Sequence, residues 1–168
     1  KATDESGNSN KDEIPITKNL TIQGNTGKAS DILDADGKNR IFSVANDKKL
    51  TLKNLTLENG SGDRGGGIRA DSNCTLTITG CILKGNKVDV FGGGISAGNT
   101  AITMKDCTLT GNVAQNTGGG GVYVADGTFT MKGSSRISLS TGTEENEQGK
   151  NEVFLTKNTM IAVPAALT

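Results

Sequence analysis

Apolar residues in this chain recur in short alternating runs and never at helical spacing over a helical length. Leu50-Thr51-Leu52-Lys53, Leu76-Thr77-Ile78-Thr79, Ile102-Thr103-Met104-Lys105 and Phe129-Thr130-Met131-Lys132 each place an apolar side chain at every second position. That is the period of a strand with one buried face. A second run follows the first three after a brief break: Leu55-Thr56-Leu57, Cys81-Ile82-Leu83 and Cys107-Thr108-Leu109. A third begins after glycine runs, at Gly65-Gly66-Gly67-Ile68, Gly92-Gly93-Gly94-Ile95 and Gly119-Gly120-Gly121-Val122, so that Ile68, Ile95 and Val122 lie 27 residues apart. A looser copy starts at Leu20-Thr21-Ile22 and continues through Ile41-Phe42-Ser43-Val44. Gly, Asn, Asp and Ser fill the breaks, where they favour turns.

Three short strands in each unit of about 24–30 residues match one rung of an all-β, single-stranded parallel β-helix solenoid; a propeller blade needs about 40–45 residues. In such a solenoid, equivalent residues stack on successive rungs. Leu20, Leu50, Leu76, Ile102 and Phe129 then form one inward column, and Ile22, Leu52, Ile78, Met104 and Met131 another. Between them Thr21, Thr51, Thr77, Thr103 and Thr130 form an outward ladder, whose branched Cβ suits extended backbone. The repeated endings Leu83-Lys84-Gly85-Asn86 and Leu109-Thr110-Gly111-Asn112 predict an internal ladder of Asn86 on Asn112. The glycine runs predict a crowded corner. They are followed by strand-like residues, not by a helix, which argues against a phosphate-binding loop.

Composition narrows the function classes. Lys+Arg and Asp+Glu number 18 each, and aromatics are 3% of residues, so nothing draws the chain to nucleic acid. No apolar run reaches the roughly 20 residues that a membrane-spanning helix needs. Histidine is absent, which removes the commonest general base and metal ligand. No cofactor is expected. Cys81 and Cys107 occupy equivalent inward positions, with Leu55 before them and Ser134 expected after; free, stacked core thiols are preferred over a disulfide.

The Gly-Gly-Ile/Val element at Gly66-Gly67-Ile68, Gly93-Gly94-Ile95 and Gly120-Gly121-Val122, with the Leu-x-Gly-Asn endings at Leu83 to Asn86 and Leu109 to Asn112, resembles the polymorphic outer-membrane protein repeat of autotransporter passengers. That family's second element reads Phe-x-x-Asn, and Leu stands here for its Phe. The stretch from Ile16 to Gly37 is similar to the opening of pectin-lyase-like surface proteins. The resemblance covers roughly residues 14–163. It implies a right-handed parallel β-helix at a bacterial cell surface, outer-membrane-associated or secreted, with a host protein or glycan as receptor.

Candidate chemistry is sparse. Glycoside hydrolysis needs two carboxylates flanking the bond, and Asp106 is the single carboxylate in the strand-bearing part of its unit, so a non-enzymatic module is expected. Asp31, Asp34 and Asp36 ahead of Gly37 are the candidate ligands for a hard cation; an Asp-Gly turn is the preferred reading. Lys53, Lys105 and Lys132 share the threonine face. Residues 1–13 read as a flexible lead-in and 14–168 as one β-helix domain of five to six rungs. Residues 141–152 read as an irregular polar loop, and Val153 to Val163 as a last rung stopped by Pro164. With no helical cap in view, end-to-end packing with further rungs is expected. The function readings are an adhesin or passenger fragment first, a structural spacer second, a polysaccharide-active enzyme third, and ice binding through the threonines last.

Overall fold

The computed structural model describes residues 13–25, 31–116, 118–138, 153–156 and 159–162. The expectations for residues 1–12, the loop 141–152 and the stop at Pro164 lie outside them. Strands follow each other with short corners between. The opening rung holds β1 (Ile14–Ile16), β2 (Leu20–Gln23) and β3 (Asp31–Asp34). The next holds β4 (Phe42–Val44), β5 (Lys49–Lys53), β6 (Leu55–Glu58) and β7 (Ser61–Arg64), and is followed by β8 (Ile68–Ala70), β9 (Thr75–Thr79), β10 (Ile82–Lys84) and β11 (Lys87–Phe91). Then come β12 (Ile95–Lys105), β13 (Thr108–Thr110) and β14 (Val113–Ala114), followed by β15 (Val122–Lys132) and β16 (Arg136–Ser138). The last two are β17 (Val153–Leu155) and β18 (Thr159–Ala162).

Every pairing is parallel and joins a strand to its equivalent one rung away, giving sheets of ten, five and three strands. The winding makes about four complete turns. Three sheets are present, as the three-strand rung predicts, but the largest is bent. One arm runs β1-β4-β8 and the other β2-β5-β9, and the 11-residue strands β12 and β15 turn the corner and belong to both. The second sheet is β3-β6-β10-β13-β16 and the third β7-β11-β14.

The register matches the sequence columns: Leu20, Leu50, Leu76, Ile102 and Phe129 are successive partners, as are Thr21, Thr51, Thr77, Thr103 and Thr130. Ile68, Ile95 and Val122 stack likewise, with Phe42 before them. Leu50, Leu76, Ile102 and Phe129 are buried, as are Leu52, Ile78 and Met104. The column ends are less covered: Ile22 and Met131 are partly buried, and Leu20, expected inward, is 44% exposed because β2 is the edge strand of its arm. Phe42 and Phe129 contribute the large rings to an otherwise aliphatic core. One alignment needs correcting. Arg136 pairs with Thr108, so Ser135, not Ser134, follows Cys107 in the thiol column. The turn before β16 holds one residue more than the preceding copies suggest, and Ser135 Oγ accepts the Cys107 N–H at 3.2 Å.

The corners explain the glycines. A Cβ on Gly94 would sit 2.5 Å from the carbonyl oxygen of Gly121 on the next rung, so only a bare Cα permits the approach. Gly92, with φ near 63°, holds a left-handed backbone that other residues resist. At a second corner Asn54, Gly80, Asp106 and Gly133, all left-handed, alternate from rung to rung. The Asn54 Oδ1 fills the space where a Cβ on Gly80 would be, 2.5 Å away, and the Asp106 carboxylate does the same at Gly133.

Asn86 and Asn112 are buried at a third corner. Asn86 Nδ2 donates to Asn112 Oδ1 at 2.8 Å and to the Leu57 carbonyl at 3.2 Å, while its Oδ1 accepts the Gly60 N–H at 2.8 Å. Asn112 Nδ2 donates to the Leu83 carbonyl at 2.8 Å. These amides satisfy corner backbone groups that the sheets leave over, and burial makes any orphan costly. Asn86→Ala should therefore destabilise the fold by about 2–4 kcal/mol, whereas Thr77→Val on the outward ladder should change it by less than about 0.5 kcal/mol. Urea unfolding of the two variants side by side checks both; equal effects would contradict this account of the ladder.

Candidate functional site

The glycine corner brings the end of the third sheet beside the start of the bent sheet. Arg64 closes β7 and Phe91 closes β11; they are register partners, and Phe91 bridges in turn to Gly118. Across the corner the outward residues of the bent sheet stack as Ser43, Arg69, Ser96, Tyr123 and Phe154. Alternation forces Tyr123 and Phe154 outward, because their neighbours Val122, Val124, Val153 and Leu155 face the core.

The two series meet in one stack. The Arg64 guanidinium lies 5.2 Å from the centroid of the Phe91 ring, within the range of a cation–π contact. Phe91 stacks on Tyr123 with centroids 4.2 Å apart and planes at 24°, and Tyr123 on Phe154 at 5.5 Å and 13°. Gly118 makes room, since a Cβ there would come within 3.2 Å of the Phe154 ring. Phe154 is 40% exposed. The chain has only five aromatic residues; two fill the core and the other three form this surface stack.

Beside the stack lies an open cavity of about 350 Å³. Arg64, Arg69, Asp71, Ser72, Ser96 and Tyr123 are among its walls. Arg69 and Asp71 pair at 3.1 Å, and Asn46 Oδ1 accepts the Ser72 N–H at 2.9 Å, fixing the adjoining turn. The combination offers ring faces, a guanidinium and hydroxyls to a polyhydroxylated ligand. Asp71, held by Arg69, is the carboxylate of this wall.

Arg40 supports the site from below. Its Nε donates to the carbonyls of Arg64 and Gly65 at 2.9 and 3.1 Å, and its two terminal nitrogens pair with Glu13 and Asp63 at 2.7 and 2.8 Å. With its side chain only 9% exposed, Arg40 ties three rungs together where Arg64 leaves the third sheet.

The other candidates lie elsewhere. Asp31, Asp34 and Asp36 do not converge. Asp34 Oδ1 accepts the Asp36 N–H at 2.8 Å and Asn59 Nδ2 at 3.0 Å, Asp36 pairs with Lys38 at 2.7 Å, and Asp31 lies against Gly24. The Asp36 backbone N–H, more than any other group, lowers the Asp34 pKa. Asp106 is a corner residue, accepting the Ser134 N–H and hydroxyl at 2.9 and 3.1 Å, and the former is the main reason its pKa is lowered. Among the described residues no group of three His, Cys, Asp or Glu side chains is placed to hold a metal ion. The threonine ladder lines the other arm of the bent sheet, away from the cavity.

Cys81 and Cys107 are free, buried and adjacent in the second sheet. Cys107 Sγ lies 3.3 Å from the Ile78 carbonyl oxygen and 3.2 Å from that of Lys105. Desolvation pushes both thiols up, Cys81 to about 11, with the neighbouring thiol adding to the rise at Cys81.

The stacked parallel rungs define the class: this is a β-solenoid, a single chain wound into a parallel β-helix. Residues 5–137 match the family model described as the right-handed β-helix region, and the chain belongs to that family. No curated protein and no solved structure matches the chain.

The stack was not among the residues singled out in the sequence, although its signal is there. Arg64, Phe91 and Gly118 each precede a glycine corner at intervals of 27, and Arg69, Ser96 and Tyr123 follow it at the same interval.

Two outcomes follow. Cys81 and Cys107 keep their protons more firmly in the folded chain than in the unfolded one, so their contribution to stability is full below the ordinary thiol pKa of about 9 and is lost as pH rises above it, for Cys81 on the way to about 11. A Cys81→Val, Cys107→Val variant should show a flatter decline in urea midpoint between those limits, and an unchanged slope would refute the assignment. Arg40→Ala should lower stability by about 1–2 kcal/mol, because two corner carbonyls lose their donor while the exposed Glu13 and Asp63 carboxylates return to water, and thermal unfolding will register it.

Proposed function

We propose that this chain is a non-enzymatic, glycan-binding module of a bacterial surface protein, of the adhesin or autotransporter-passenger kind, and that the cavity beside the aromatic stack is its binding site. The observation that carries this reading is the gathering of Arg64, Phe91, Tyr123 and Phe154 into one exposed stack on a chain otherwise almost without aromatics. Stacked, half-exposed rings are costly to leave in water and supply rigid apolar area to a partner. Sugar rings present apolar C–H faces to such platforms, and their hydroxyls suit the Arg69, Asp71, Ser72 and Ser96 wall. A non-catalytic role is supported by the carboxylate of this wall being engaged with a guanidinium, where hydrolysis asks for two carboxylates on either side of the bond. Surface display is supported by the Gly-Gly-Ile/Val and Leu-x-Gly-Asn pattern that resembles passenger repeats. The second reading, a structural spacer, draws on the repeat itself, since stacking alone accounts for the Asn and Thr ladders.

A glycan array probed with the chain should give signal on a restricted set of oligosaccharides. Tyr123→Ala should weaken the best of these by about thirtyfold, as expected for loss of an anchoring aromatic, with the thermal midpoint nearly unchanged. Turnover of a bound oligosaccharide would replace the binding reading with the enzymatic one, and a blank array would favour the spacer.

A further inference from the structure

The second arm of the bent sheet carries a different chemistry. Its outward positions form three adjacent columns: Lys49, Thr75, Ala101 and Thr128; the ladder Thr21, Thr51, Thr77, Thr103 and Thr130; and Gln23, Lys53, Thr79, Lys105 and Lys132. No acidic residue occupies any of these positions, in a chain whose charges balance overall. Lys49, Lys53, Lys105 and Lys132 are exposed. Asp106, next to Lys105 in the chain, sits at the corner and accepts from Ser134. The cavity beside the aromatic stack does not touch this face.

We propose that this threonine–lysine face is a second, separate binding surface, and that its partner is a linear sulfated polysaccharide lying along the solenoid axis. Three features select that partner. Lys53, Lys105 and Lys132 share one column, interrupted at Thr79, with rungs about 4.8 Å apart, and Lys49 flanks it two columns away on the strand of Lys53, so the charge is strung along the axis as a linear polymer requires and is not gathered for a compact ligand. The charges are all lysine, compact point charges on flexible stems set one or two rungs apart, a spacing that a polymer with an anion on nearly every sugar can meet. The neighbouring threonine hydroxyls can donate to and accept from sugar hydroxyls. A single-stranded nucleic acid would need rings for its bases, and the outward positions of this face hold none.

The test is titration calorimetry of the chain with a fully sulfated heparin-type octasaccharide, its desulfated counterpart and a single-stranded oligonucleotide of equal charge. Four lysine contacts predict that binding of the sulfated chain weakens roughly fiftyfold between about 50 and 200 mM salt. In a Lys53→Gln, Lys105→Gln, Lys132→Gln variant, whose exposed substitutions leave the thermal midpoint in place, the salt dependence should fall to about threefold. The desulfated chain should not bind. Tyr123→Ala should leave this binding untouched, so failure here is distinct from failure of the cavity reading. Equal binding of the oligonucleotide, or sulfated-chain binding indifferent to the triple variant, would overturn the proposal.

Discussion

Almost everything in this molecule depends on each rung hydrogen-bonding to the next in register, with parallel strands in all three sheets. Strands about 4.8 Å apart leave no tolerance for a side chain that intrudes at a corner. That is why Gly94 faces the Gly121 carbonyl with no Cβ between them, and why Asn54 and Asp106 alternate with Gly80 and Gly133 at another corner. It also sets the place for Asn86 and Asn112. Where the chain bends, its backbone amides and carbonyls lose their sheet partners, and a buried carboxamide can serve a donor and an acceptor at once.

The same constraint keeps the core narrow. Inward columns are filled by aliphatic side chains and by Cys81 and Cys107, which act as small apolar residues with sulfur near main-chain carbonyls. The two buried rings, Phe42 and Phe129, sit in different columns and different rungs, so no one layer must hold both. A core this regular leaves little of the chain free for function, and the outward columns are where variation is allowed.

Those outward columns separate into two chemistries on the two arms of one sheet. The arm beside the glycine corner gathers Arg64, Phe91, Tyr123 and Phe154 with a polar cavity. The other arm presents threonine and lysine without an acid. The long strands β12 and β15 join them, so the relative placement of both surfaces is set by continuous backbone and not by a mobile linker. Arg40, which binds the carbonyls at the Arg64 corner, ties the first arm to the opening rung.

The sequence alone determined the winding. Period-2 alternation and the 27-residue spacing of Ile68, Ile95 and Val122 are local and repetitive, so they predict columns that the register matches residue by residue. It also determined that Asn86 would meet Asn112, because equal spacing along the chain becomes adjacency across rungs. Tertiary structure decided what lies across a corner. Phe91 and Tyr123 belong to different sheets and different rungs, and only the bend angle of the glycine corner brings their rings to 4.2 Å. Likewise the Arg40 clamp joins residues from three rungs, and one extra residue in a turn moved Ser135 into the place assigned to Ser134. A repeat period specifies contacts along the solenoid axis; contacts around its circumference depend on backbone angles at the corners, which the residue pattern does not carry.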